Sequence, residues 1–111
     1  RAENDIIRRV EKYMKENTCG DLSLEDICRH VKMSRTQLAA LFRRKKETGI
    51  ISYFKNLKVN QAKTLIREEN LNISEIAELL GYTSIHSFSR TFKNTVGMSP
   101  MEYAKSVKSR L

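Results

Sequence analysis

A long apolar run is missing from this sequence. Its densest stretches, such as Gly49-Ile50-Ile51, are far shorter than the roughly 20 residues that a membrane-spanning helix needs. The opening Arg1-Ala2-Glu3-Asn4 begins an amphipathic segment and lacks the apolar core of a signal peptide. The cytoplasm is therefore the expected compartment, with no membrane partner. No Met begins the sequence, which points to a piece of a longer protein. Proline occurs once, as Pro100, and glycine four times. So few breakers predict helices with few interruptions. Cysteine is limited to Cys19 and Cys28. One pair in a helical chain of intracellular character gives little support for a disulfide. A metal site needs more ligands at better spacing, and Cys28 falls where a small core residue is expected. Absent too are a nucleophile–base pair at a recognisable spacing and a glycine-rich loop to cradle phosphate. The expectation is no enzyme, no cofactor and no metal.

Acidic charge is also in deficit. The chain has 21 Lys and Arg against 13 Asp and Glu, a net charge of +8 and a pI near 9.7. Residues 1–34 carry seven of each sign, and residues 35–63 carry eight basic against one acidic. Residues 64–80 carry one basic against four acidic, and residues 81–111 five against one. Positive charge thus falls into two blocks with an acidic stretch between them. A polyanion touched at two places favours that distribution. A lysine-rich solvated surface gives the same totals, so composition leaves both readings open. The length of 111 residues suits one domain or two small apposed ones.

What the sequence does contain is helical periodicity. Asn4 or Asp5 can cap a first helix, in which Ile6, Ile7, Val10, Tyr13 and Met14 form one apolar stripe. Residues 17–21 break it. Ser23-Leu24-Glu25-Asp26 reads as a cap with acids in the first turn, followed by the stripe Leu24, Ile27, Cys28, Val31. After the short turn Lys32-Met33, Ser34-Arg35-Thr36-Gln37 is a second capping box, with Leu38, Leu41 and Phe42 buried behind it. A short helix, a tight turn and a capped second helix make a helix-turn-helix pattern. Residues 51–69 follow as an uninterrupted helix with Phe54, Leu57, Ala62, Leu65 and Ile66 apolar. Its span is roughly 27 Å at 1.5 Å per residue. Then the pattern returns. Ser74 is expected to cap a helix holding Ile76, Ala77 and Leu80. Gly81-Tyr82-Thr83 turns the chain, and Ser84 caps a helix with Phe88 and Phe92 inside. Gly97-Met98-Ser99-Pro100 ends it and starts a last helix with Tyr103 and Val107. Ile27 and Val31 match Ile76 and Leu80 at an offset of 49, and Ser34, Leu38, Phe42 and Tyr53 match Ser84, Phe88, Phe92 and Tyr103 at an offset of 50. Two copies of a weak motif in one register are far more specific than either alone.

The buried positions fix the exposed ones at 100° per residue. With Leu38, Leu41 and Phe42 inward, Thr36, Ala40 and Arg43 point outward, flanked by Ala39 and Arg44. With Phe88 and Phe92 inward, His86, Arg90 and Lys93 point outward, flanked by Ile85 and Ser89. A major groove can meet such faces. Arg90 suits a bidentate bond to guanine, His86 can donate to a base or a phosphate, and Thr36 offers a hydroxyl and a methyl. Ala39 and Ala40 can only pack on thymine methyls or let the helix sit deep. Arg35, Arg43, Arg44, Lys45 and Lys46 suit phosphate contacts, which position without specifying. The helix N-termini at Ser34 and Ser84 add backbone N–H donors. Plainer readings stand beside these: residues 43–46 as a solvated helix end, Arg90 as a surface ion-pair residue, His86 as passive, and His30 as a surface or helix-terminal residue.

Those residues resemble the DNA-binding domain of the AraC/XylS family of bacterial transcription regulators. The match runs through Ile73-Ser74-Glu75-Ile76-Ala77, Leu80-Gly81-Tyr82, Ser84, Phe88-Ser89-Arg90, Phe92-Lys93, Gly97-Met98-Ser99-Pro100 and Tyr103. It continues through Leu24-Glu25-Asp26-Ile27, Met33-Ser34, Leu38, Leu41-Phe42 and Glu47-Thr48-Gly49, and along the linker helix through Tyr53-Phe54, Leu57, Ala62, Leu65 and Ile66. It covers roughly residues 4–107. The resemblance implies two recognition helices in successive major grooves of promoter DNA. It places base reading at Thr36, Ala39, Ala40, Ile85, His86 and Arg90. Phosphate contact or positioning then falls to Ser34, Arg35, Gln37, Arg43, Arg44, Thr83, Ser84, Ser89 and Lys93. It also implies RNA polymerase as a partner, an activator's role, and a sensing or dimerisation domain before residue 1. Three positions depart from the family pattern. Gly49 comes seven residues after Phe42 where five is usual, so the end of the first recognition helix is expected to be extended or rerouted. Lys58 stands where arginine is usual, and Ala104 where arginine follows the tyrosine.

The expected fold is all-α and homeodomain-like, with about seven helices. Residues 1–50 form one helix-turn-helix subdomain, 51–69 the linker helix and 70–111 the second subdomain. Two other function classes fit a basic helical surface: a module that meets an acidic protein, and a domain that binds RNA or DNA without sequence preference.

Overall fold

The computed structural model describes residues 2–20, 22–68 and 70–109. Asp21, in the expected break, and Glu69, the expected end of the linker helix, lie outside them. The described residues form seven helices and no strand: α1 (Ala2–Glu16), α2 (Leu24–Val31), α3 (Arg35–Lys46), α4 (Ile50–Glu68), α5 (Ile73–Leu79), α6 (Ile85–Val96) and α7 (Pro100–Ser109). The all-α fold with two helix-turn-helix units is the one the periodicity predicts. No helix of the described residues is long and apolar enough to cross a membrane.

The chain divides into two compact units, Arg1–Leu57 and Lys58–Leu111, and the division falls within α4. Each unit has its own core. The first gathers Ile7, Val10 and Met14 of α1, Ile27, Cys28 and Val31 of α2, Leu38, Leu41 and Phe42 of α3, and Ile50 and Phe54 of α4. The second gathers Val59, Ala62 and Ile66 of α4, Ile76 and Ala77 of α5, Leu80, and Phe88 and Phe92 of α6. Phe42, Phe88 and Phe92 are wholly buried. Each contributes about 1.5–3 kcal/mol by leaving water. Cys28 is a packed core residue, as its position predicts.

Two helix starts differ from expectation. Helix α1 already begins at Ala2, so Asn4 and Asp5 lie inside its first turn and do not cap it. Helix α5 is capped by Asn72, whose side chain accepts from the Glu75 N–H at 2.8 Å while Glu75 accepts from the Asn72 N–H at 2.9 Å. Ser74 is therefore helical. Asn and Ser cap almost equally well; the glutamate three residues on closes the reciprocal box from Asn72 only.

The repeat extends to the backbone. Four described residues have left-handed φ: Lys32 (57°), Glu47 (59°), Gly81 (79°) and Gly97 (94°). Lys32 and Gly81 lie 49 apart, and Glu47 and Gly97 lie 50 apart. The second helices of the two helix-turn-helix units, α3 and α6, each have 12 residues. The expected extension or rerouting of α3 is thus absent. Glu47 takes the helix-ending conformation that Gly97 takes in the other unit, and its N–H donates to the Arg43 carbonyl at 2.8 Å, as that of Gly97 does to Lys93.

Candidate nucleic-acid interface

Helix α3 starts where Ser34 accepts from the Gln37 N–H at 3.2 Å and Gln37 accepts from the Ser34 N–H. Leu38, Leu41 and Phe42 then anchor one face in the core. That anchoring turns Thr36, Ala39 and Ala40 to solvent, together with Ser34, Arg35, Gln37, Arg43 and Arg44. Helix α6 starts where Ser84 accepts from the Ser87 N–H at 3.0 Å. Phe88 and Phe92 anchor it, within a row of tilted and edge-on ring contacts that runs from Tyr82 to Tyr103. Ile85, His86, Arg90, Thr83, Ser84 and Lys93 are exposed, while Ser89 is half-buried. Each unit therefore presents a capped helix with one solvent-facing stripe. Ile85 is among the few large apolar side chains left in water, at 40% exposure.

The two stripes differ in how their cations are engaged. Among the described residues, no ion pair holds Arg90, Lys93 or Arg43. Arg35 instead pairs with Glu25 of α2 at 2.9 Å. Arg44 and Lys45 share Glu3 of α1, at 2.7 and 3.6 Å. Lys46 pairs with Glu11 at 2.9 Å, and the Tyr53 hydroxyl donates to the same carboxylate at 2.7 Å. So most of the basic cluster that ends α3 is matched by carboxylates of α1. Arg44 holds the Glu3 carboxyl below its ordinary range through a hydrogen bond and its charge. Burial raises the Glu11 carboxyl, but the bonds from Tyr53 and Lys46 outweigh it and leave it lowered. Burial, reinforced by Glu11, pushes the Tyr53 hydroxyl up to about 12. These partners are far apart in sequence, and no local spacing announces them. His30 stacks on Tyr13, with ring centroids 4.0 Å apart, and its carbonyl accepts from Arg9. It lies in the last turn of α2.

Comparison with known proteins adds to this geometry. A family model described as a helix-turn-helix domain matches residues 27–106. An HTH-type transcriptional regulator of Bacillus subtilis, YfiF, is 34% identical over 86% of this chain and 30% of its own length. The melibiose operon regulatory protein of Escherichia coli K12 is 29% identical over 96% of this chain and 38% of its own. The chain thus spans about a third of the curated relatives it matches. Among solved structures, an AraC-type DNA-binding-domain regulator from Chromobacterium violaceum superposes with a TM-score of 0.87 at 27% identity, covering 96% of this chain and 95% of that one. The C-terminal domain of AraT, a response regulator from Geobacillus stearothermophilus, gives 0.87 at 29% identity, covering 91% and 84%.

Proposed function

The chain belongs to the AraC/XylS family of helix-turn-helix regulators, and from that premise we propose how it recognises DNA. It is a sequence-specific DNA-binding domain of a bacterial transcription regulator. Helices α3 and α6 are its two reading elements, and they enter successive major grooves of promoter DNA. Thr36, Ala39 and Ala40 of α3, and Ile85, His86 and Arg90 of α6, face the bases. Ser34, Arg35, Gln37, Arg43, Arg44, Thr83, Ser84, Ser89 and Lys93 hold the backbone. The observation that carries this reading is the pair of equally long, serine-capped helices, each anchored by core aromatics behind an exposed stripe.

The stripes divide the labour. Arg90 and His86 can hydrogen-bond base edges, and guanine offers Arg90 two acceptors. Ala39 and Ala40 contribute only methyls, so α3 reads by apolar contact and shape while its basic rim grips phosphate. The ion pairs of that rim do not forbid this role. Arg35, Arg44 and their partners are about half exposed or more. Exposed pairs are weak and screened by salt, so a phosphate can replace a carboxylate at small cost. The regulator is an activator that contacts RNA polymerase, with a sensing or dimerisation domain elsewhere in its full length.

Selection from a pool of random duplexes tests the reading. A specific reader binds its enriched duplex on the order of 10³-fold or more tighter than random duplex. A chain that enriches nothing is a general polyanion binder or a protein-binding module instead.

A further inference from the structure

Every described helix except α5 carries a basic side chain in its last turn. A cation there offsets the partial negative charge of unpaired carbonyls at the helix end. For α5 the cation arrives from another helix. Lys58 of α4 is 9% exposed, and its Nζ donates to the Leu80 carbonyl at 2.7 Å in a buried setting. Leu80 is the residue that ends α5. The same Nζ lies 5.2 Å from the centre of the Tyr82 ring. Tyr82 donates its N–H to the Ala77 carbonyl at 3.0 Å, and its ring meets Phe88 of α6 at 5.2 Å between centroids. A continuous chain of contacts therefore runs from Lys58 through the turn to the inner face of the second recognition helix.

We propose that Lys58 is a positioning residue for base reading. It fixes the turn from Leu80 to Ser84 and thereby the angle at which α6 presents His86 and Arg90. Its Nζ is buried against a carbonyl and an aromatic face, so it is not placed to grip phosphate. Unit 1 contains a surface version of the device: Arg9 donates to the His30 carbonyl in the last turn of α2 at 3.0 Å. That contact is exposed, and α2 has its own Arg29 and His30 in that turn. A buried charged donor is costlier to remove than an exposed one, so the dependence on the clamp falls on unit 2.

The inference rests on the DNA-binding reading, and its test separates the two. The full chain and its Lys58→Met, Lys58→Arg and Arg9→Met variants are compared below their melting temperatures. The probes are the duplex that the parent chain enriches, random duplex, and amide exchange without DNA. Lys58→Met is expected to lose about tenfold in affinity for the enriched duplex, the cost of re-ordering on DNA a turn that has lost a buried charged hydrogen bond. Its binding to random duplex, and the salt slope of that binding, should stay within about twofold because no phosphate contact is removed. Exchange at the Tyr82 amide should quicken. Lys58→Arg should restore both the affinity for the enriched duplex and the slow exchange, and Arg9→Met should leave exchange at Tyr82 unchanged. Equal losses on both duplexes, or a shallower salt slope, would overturn the proposal. So would full affinity despite faster exchange. If Lys58→Met does not fold, Lys58→Gln keeps a donor without the charge and is read by the same criteria. A parent chain that enriches no duplex overturns the proposed function instead. Exchange then decides the turn alone, and unchanged exchange in Lys58→Met rejects the clamp.

Discussion

Glu47 and Gly97 occupy equivalent helix ends, yet only one is the residue that left-handed backbone favours. A side chain with a Cβ costs about 1–2 kcal/mol in that conformation, offset in part by the roughly 0.5–1 kcal/mol of chain entropy that glycine loses on folding. Glu47→Gly is therefore expected to stabilise unit 1 by up to about 1 kcal/mol. Gly97→Ala should destabilise unit 2 by about 1 kcal/mol, although a Cβ at Gly97 would meet no atom within 4 Å. Thermal denaturation of both variants checks the pair, and a loss on Glu47→Gly would show that the glutamate side chain contributes more than its backbone costs. On the proposed reading, Arg90 reads a base and Arg44 grips phosphate. Arg90→Ala should cost about 1–3 kcal/mol on the enriched duplex and relax one base position. Arg44→Ala should weaken all duplexes alike and flatten the salt slope by about one. Glu3 competes with phosphate for Arg44, so Glu3→Gln should raise affinity for every duplex and most at low salt. Titrations at two salt concentrations decide this, and unchanged affinity would mean that Glu3 and phosphate do not compete for Arg44.

Helices α1 and α4 show what an element does beyond packing. Glu11, Lys46 and Tyr53 join α1, α3 and α4 in one polar network. The Tyr53 hydroxyl is raised from 10.0 to about 12 in the fold. A raised value means that the folded state keeps its proton while the unfolded chain has lost it. The contribution is whole below pH 10 and is lost as the pH climbs through about 12. Unit 1 should accordingly lose stability over that window, and Tyr53→Phe should lose less. Denaturation at a series of alkaline pH values measures it, and identical slopes for the two chains would refute the network's role. The same elements show how much could be read ahead of the structure. The stripes Leu38, Leu41, Phe42 and Phe88, Phe92 gave both recognition helices and their exposed faces, because helical periodicity is local. Asn72 does not stand out as the cap in the sequence because Ser74 suits the task equally well. The carboxylates of Glu3 and Glu11 against the α3 rim, and Lys58 against Leu80, were hidden because they join residues 22 to 42 apart. Only folding brings such pairs together.

At the scale of the whole chain, most of the first positive block falls in one unit and the second block in the other, and each unit has its own core. If α3 and α6 both read DNA, as proposed, one chain covers two half-sites without a dimer. Their unequal chemistry, alanines in one and Arg90 with His86 in the other, predicts an asymmetric recognition sequence. Selection from random duplex DNA tests this most directly. The account predicts two conserved blocks about 10 base pairs apart, the spacing of successive major grooves. The Arg90→Ala chain should enrich the same site with one block degraded and the other intact. Enrichment of no motif, or degradation of both blocks alike by Arg90→Ala, would contradict it.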